Sequence, residues 1–213
     1  MSDSRERILA RLRANRPIEV PTPTVYAKPL GWDREHCIAS FMQRMQAVRG
    51  EVHRIARDAW VDWLAGELPA RGIHHLLAGN GDVGDRLASA LPASIRLSRY
   101  DHPIEQWKPA LFNDIDAAIT HARAGLAESG SIVLWPDANE PRLMSLAPPI
   151  HIALLDSHKL HENFAAMIAA EHWANGMPTN ALLISGPSKT ADIEQTLAYG
   201  IHGPKQLITL LLD

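Results

Sequence analysis

One cysteine, Cys37, is the entire thiol complement of this 213-residue chain. It excludes an intramolecular disulfide, and it excludes an iron–sulfur cluster held by this chain alone, because such clusters take four thiolates. Positive charge is not in surplus either. Lys+Arg is 21 against 24 Asp+Glu, a formal net charge of −3, so nothing points to nucleic acid. The one arginine-rich stretch, RERILARLRANR, carries Ile8, Leu9 and Leu12 at helical spacing and reads as a solvated terminal helix packing on its own domain. No apolar core of the kind a secretory signal needs follows those arginines. No stretch approaches the ~20 apolar residues of a membrane span. A cytoplasmic protein is the expectation. Internal repeats and low-complexity tracts are absent, and neither a G-x-S-x-G elbow nor a G-x-G-x-x-G dinucleotide fingerprint is expected.

What the chain does have is alternation. Residues 3–15 read as a helix, and four prolines within 16–31 make that segment a linker or surface arm. The domain proper then runs over 32–213. DREHCIASFMQRMQAVRG places Ile38, Phe41, Met42, Met45 and Val48 on a helical face, with Gly50 as the stop. Strands are expected at 51–56, 73–79, 94–100, 116–122, 130–135, 149–156, 180–185 and 206–213. Helices are expected at 58–72, 82–91, 160–176 and 190–200. Apolar strands alternating with helices predict an α/β fold, a central and mostly parallel sheet with helices on both faces.

Three polar bends stand out as candidate chemistry. In ISGPSKTADIEQ an apolar run empties into Ser185-Gly186-Pro187-Ser188-Lys189-Thr190 and Asp192. If a helix starts there, the loop sits at the C-terminal end of a strand, where α/β sheets bind ligands. Its free N–H groups and Lys189 would then cradle an anion. The plainer reading is a capped turn, with Asp192 and Glu194 complementing the helix dipole. The glycine spacing is not that of a P-loop. In AESGSIVL, Glu128, Ser129, Gly130 and Ser131 make a polar turn before a strand. Glu128 is a nucleophile or general base if buried beside a substrate, and an exposed turn glutamate otherwise. In GIHGP, His202 and Gly203 lie in a tight turn where the imidazole would titrate near neutrality. His151 falls inside an apolar strand and reads as a satisfied core histidine. No metal site is expected: His74 and His75 point to opposite faces, and His158 and His161 lack a third ligand at usable spacing.

The segments AESGSIVL, RLMSLAPPIHIALL and ISGPSKTADIEQTLAYGIHGPKQLITLLL, in this order and spacing, resemble the lactate-utilisation protein C (LutC/YkgG, LUD-domain) family. The likeness is strongest over 112–213, with serines at 129 and 131 where threonines are commoner. The resemblance implies a fold like that of the NagB/RpiA/CoA-transferase-like proteins. It also implies a role in oxidation of L-lactate to pyruvate beside two partner proteins that carry iron–sulfur clusters, this chain being the cluster-free accessory or substrate-handling component. Lactate is a small carboxylate. Ser185 to Thr190 would supply donors, and Glu128 and His202 would flank the substrate. Two other readings stay open: a stand-alone acyl- or CoA-transferase-like enzyme using Glu128, and a metabolite-binding regulator.

Overall fold

The computed structural model describes residues 2–15, 29–191 and 197–213. Most of the expected proline-rich arm, and Asp192 with it, lie outside the described residues. Helix α1 (Ser2–Ala14) leaves Ile8 and Leu12 more than 60% exposed. Its apolar edge is therefore not packed on the domain as the sequence suggested. The carboxylate of Glu162 accepts the backbone N–H groups of Leu30 (2.7 Å) and Trp32 (2.8 Å), which pins the start of the domain. Asp33 caps α2 (Arg34–Ala47) by accepting the His36 N–H.

The chain then builds β1 (Glu51–Ile55), α3 (Trp60–Ala70), β2 (His75–Ala78), α4 (Asp82–Ala90), β3 (Arg96–Arg99), α5 (Ile104–Asn113) and β4 (Ala117–Ala122). After these come β5 (Ala124–Leu126), β6 (Ser131–Leu134), β7 (Ile150–Asp156), β8 (Leu160–His161) and α6 (Phe164–Ala170). The last elements are β9 (Leu182–Ile184), β10 (Lys189–Ala191), β11 (Leu197–Tyr199) and β12 (Gln206–Leu212). Strands β1, β12, β7, β4, β2 and β3, in that spatial order, form a six-stranded sheet in which every pairing is parallel. A second, four-stranded sheet has the order β8-β5-β6-β9. One residue, Arg123, separates β4 from β5, so the chain steps from one sheet to the other almost without a turn.

Continuous apolar sequence fits a sheet covered on both faces. Leu76, Ile119, Ile152, Leu154, Ile208 and Leu210 pack against Trp60, Leu64 and Leu68 of α3 and Leu87 of α4. On the other face Ala153, Leu155, Leu207 and Leu211 meet Ile38, Phe41 and Met45 of α2 and Ile132 and Leu134 of β6. Helix α5 covers the same face farther along, through Leu111 against Leu77 and Ala118. Helix α6 backs the second sheet, with Met167 beside Leu126 and Val133.

Three expectations need correcting. No helix spans 190–200: Lys189–Ala191 pairs antiparallel with Leu197–Tyr199 in a hairpin. The long helix expected over 160–176 is a two-residue strand, a seven-residue helix and a short 3₁₀ turn. Its run breaks where His172 takes a left-handed conformation (φ 50°). Residues 104–113, read as no element, form α5, which starts directly after Pro103 and tolerates Pro109. No described helix is long and apolar enough to cross a membrane.

Leu210 is fully buried in the centre of β12. Leu210→Ala is expected to lower unfolding free energy by about 2–5 kcal/mol through transfer and cavity costs, read by urea denaturation.

Candidate functional site

Two clefts open at opposite edges of the parallel sheet. The first, of about 390 Å³, lies where β7 and β12 begin. It gathers Ser185, Gly186, Pro187 and Ser188 from the bend after β9, and His202, Gly203 and Pro204 from the bend before β12. Ser145, Leu146, His151 and Leu207 also line it. Two of the three predicted bends therefore meet. They meet at the N-terminal edge of the sheet, not at the C-terminal strand ends expected from the presumed helix.

Backbone hydrogen bonds fix this geometry. The Ser188 N–H donates to Pro204 O (2.9 Å), and the Gly200 N–H donates to Ser188 O (3.0 Å). Gly186 has φ +117°, and a Cβ there would stand 2.7 Å from Val48 Cγ2, so only glycine lets the bend lie this close to the end of α2. The third bend joins through side chains. Ser129 Oγ lies 2.8 Å from Ser131 Oγ, which lies 2.6 Å from Ser185 Oγ. Gly130 of the same turn is pressed against Arg44 and Met45 of α2. Glu128 does not join: it is exposed, lines neither cleft, and its backbone N–H donates to Glu162 O (2.9 Å). Lys189 and Thr190 are carried away from the cleft lining into the β10–β11 hairpin.

The floor holds a residue that the sequence treated as satisfied. His151 is 1% exposed, and its Nε2 lies 2.8 Å from Thr120 Oγ1. Its Nδ1 is buried without a partner. Desolvation disfavours the charged ring and brings its pKa down to about 4. Among the described residues the cleft lining contains no carboxylate, ammonium or guanidinium. It is a hydroxyl- and imidazole-lined hollow with apolar walls, suited to a small polar molecule.

The second cleft, of about 430 Å³, lies at the C-terminal ends of β2 and β4. This is the place where strand order reverses, since β2 is followed outward by β3 and inward by β4. Gly79-Asn80-Gly81-Asp82-Val83 forms one wall, with Gly84 next in the chain. The G-x-G-x-x-G spacing of 79–84 between strand and helix corrects the expectation that no such fingerprint occurs. Here Gly79 and Gly84 serve internal packing, while Gly81 (φ +124°) has open space where a Cβ would stand. A Cβ on Gly84 would stand 1.5 Å from Arg99 Nη1, and one on Gly79 would stand 2.5 Å from Asn139 O. Arg99 donates to Gly79 O (2.9 Å) and Asp85 Oδ1 (2.8 Å), and the Asn80 N–H donates to Asn139 O. Protein groups thus fill the space beside Gly79 and Gly84 and leave that beside Gly81 open.

Across this cleft Glu140 grips His121 twice. It accepts the backbone N–H at Oε2 (2.8 Å), and Oε1 lies 2.9 Å from Nδ1. The Glu140 carboxylate raises the His121 pKa against an opposing desolvation effect. Among the described residues no group of three or more His, Cys, Asp or Glu is placed to hold a metal ion.

Comparison with known proteins gives concordant results. The family model described as the LUD domain matches residues 38–212. An uncharacterised protein of Neisseria meningitidis serogroup B is 35% identical over 98% of this chain and 93% of its own length. Lactate utilization protein C of Bacillus subtilis is 35% identical over 46% of this chain and 42% of its own. That of Oceanobacillus iheyensis is 29% identical over 63% of this chain and 60% of its own. The alignments to these lactate utilization proteins thus span only about half of either partner. A crystal structure of a DUF162 family protein from Deinococcus radiodurans superposes with a TM-score of 0.63 at 17% identity, covering 85% of this chain and 99% of that one, a likeness of fold.

Glu140→Gln is expected to return the His121 titration toward the ordinary histidine range, read by NMR. A raised folded-state pKa contributes stability that is present below the unfolded-state value and lost as pH rises through the folded one. The wild-type advantage over Glu140→Gln should therefore shrink from pH 6 to pH 9. Gly79→Ala, a change helix and strand propensities would favour, should instead destabilise by about 1–3 kcal/mol by displacing the 139–140 segment, and should lower the His121 titration point with it.

Proposed function

This chain belongs to the LUD domain family, and on that premise we propose that it serves a cytoplasmic L-lactate utilisation system as a cluster-free, substrate-handling component. In this reading iron–sulfur partner proteins carry the electrons as lactate becomes pyruvate, since one buried cysteine cannot hold such a cluster here. Lactate, or the pyruvate formed from it, occupies the cleft at the start of β7 and β12.

The observation that carries the reading is the character of that cleft. Its wall hydroxyls, Ser145, Ser185 and Ser188, and its imidazole, His202, suit a carboxylate, while Leu146, Leu183 and Leu207 suit a methyl group. Among the described residues no acidic side chain lines it to repel an anion. The opposite cleft carries Asp82, Asp137 and Glu140. Two unit charges at 4 Å repel by about 1 kcal/mol in water and about 4 kcal/mol at an effective dielectric of 20, so the charge-free lining is the better host. The transferase alternative has no comparable support, because Glu128 lies outside both clefts.

Deleting the gene in its host should abolish or slow growth on L-lactate as sole carbon source while sparing growth on pyruvate, and the intact gene should restore it. Complementation with Ser188→Ala or His202→Ala should be poor. Each purified variant should bind L-lactate roughly 5–100-fold more weakly, as expected for loss of one hydrogen-bond donor to a charged group, measured by calorimetry. Normal growth of the deletion strain on lactate would refute the assignment.

A further inference from the structure

The lactate reading leaves the most deeply buried polar side chain of the cleft without a task. His151 stands one residue into β7, is 1% exposed and lines the hollow. Its Nε2 is occupied by Thr120 of the adjoining strand β4, at 2.8 Å. Its Nδ1 is buried and unpaired. One row along the same sheet face, Thr120, Ala153 and Thr209 stand side by side across β4, β7 and β12. Thr209 Oγ1 is likewise buried and unpaired. An unpaired buried donor or acceptor is costly, and native interiors hold few of them. The register partners of His151, Ala118 and Leu207, are apolar. A leucine would fill the position without that cost, so packing gives no reason for an imidazole.

Its chemistry does give one. Burial keeps the ring neutral at neutral pH, so it carries one proton, on either nitrogen. The Thr120 hydroxyl can donate or accept. Two arrangements of the pair are therefore available without moving a heavy atom. In one, the Thr120 O–H donates to Nε2, and Nδ1–H is a free donor. In the other, Nε2–H donates to Thr120 Oγ1, and Nδ1 offers a lone pair.

We propose that His151 is a ligand-binding residue of this cleft, and that its tautomer, balanced against Thr120, lets Nδ1 meet either the hydroxyl of a 2-hydroxy carboxylate or the keto oxygen of the matching 2-oxo carboxylate. The proposal rests on the small-carboxylate reading of the cleft and names the feature the site selects: an oxygen on the carbon next to the carboxylate. A hydroxy acid donates to the Nδ1 lone pair; an oxo acid accepts from Nδ1–H. No bond to carbon changes, and only the imidazole proton and the Thr120 hydroxyl rotor are rearranged. His202 is the other titratable side chain on the lining.

The test uses the full chain with ¹⁵N-labelled histidine at pH 7, titrated with L-lactate, pyruvate and propionate, the last lacking the C2 oxygen. Lactate and pyruvate should each bind at least about 5-fold tighter than propionate, the fold-change of one hydrogen bond. Saturating lactate should move the His151 Nδ1 resonance toward the unprotonated position, and pyruvate should move it toward the protonated one. His151→Leu should bind all three acids alike. The resonance measurement is made on the unaltered chain, so it decides the matter even if that variant does not fold. Equal affinity for all three acids, no binding of any, or His151 resonances that ignore both ligands would overturn the proposal. If lactate growth survives loss of the chain while these shifts occur, the physiological reading falls and the binding assignment stands. If growth requires the chain but the His151 resonances stay fixed, the assignment alone falls.

Discussion

Strand β7 is hydrogen-bonded along its whole length to β12 on one side and, over six residues, to β4 on the other. Helices α3 and α4 cover one of its faces, and α2 with the second sheet covers the other. A strand enclosed in this way has water access only at its tips. Every polar group placed within it must find a protein partner, find a ligand, or remain at a cost. That enclosure is why a serine- and histidine-lined hollow can exist at the N-terminal tip while the residues behind it are sealed, and why His151 is held neutral.

The two edges of the sheet answer the demand for polar satisfaction differently. At the C-terminal edge, charged groups pair with one another: His121 with Glu140, Arg99 with Asp85, Arg123 with Glu171. In the glycine-rich turn there, Arg99 packs against Gly84 and the 139–140 segment against Gly79. At the N-terminal edge the described lining holds no carboxylate, ammonium or guanidinium, and a chain of hydroxyls runs from Ser129 through Ser131 to Ser185 of that lining. A paired-charge surface holds its own structure, whereas a neutral surface of hydroxyls with a buried unpaired nitrogen still has bonding capacity to give. On the proposed reading, the general preference of α/β sheets for ligands at their C-terminal ends is outweighed here by what the side chains leave unsatisfied.

Much of the main sheet was readable from sequence because its strands are unbroken apolar runs. Leu207 to Leu212 and Ile150 to Leu155 can hardly be anything but buried, and the helices between them carry apolar faces at helical spacing. The second sheet was half visible: β6 and β9 fall within the strands expected at 130–135 and 180–185, whereas β5 with three residues and β8 with two are too short for alternation to register. Residues 104–113 were passed over because Pro103 and Pro109 look like breakers, yet Pro103 merely precedes the first turn. The bends at 185–188 and 202–204 were recognisable by their Gly-Pro chemistry. Their meeting was not, because it depends on the parallel placement of β12 beside β7. Nor could sequence reveal that His151 is half-satisfied: that follows from the register that puts Thr120 within reach of Nε2 and only apolar neighbours elsewhere.

The hairpin that replaces the expected helix after Thr190 changes the electrostatics of the site, not just its outline. A helix start would have presented several free N–H groups and roughly half a positive charge to the cleft. In the hairpin, Lys189, Thr190 and Ala191 pair with Tyr199, Ala198 and Leu197 instead, and the Ser188 N–H is committed to Pro204 O. The bend therefore offers few backbone donors, and in the proposed site recognition shifts to side chains: the serine hydroxyls, His202 and the neutral ring of His151. Such groups can each be donor or acceptor. A site made of them discriminates less by net charge than by where a ligand places its oxygens, which is the distinction that matters between a carboxylate with an oxygen on its neighbouring carbon and one without.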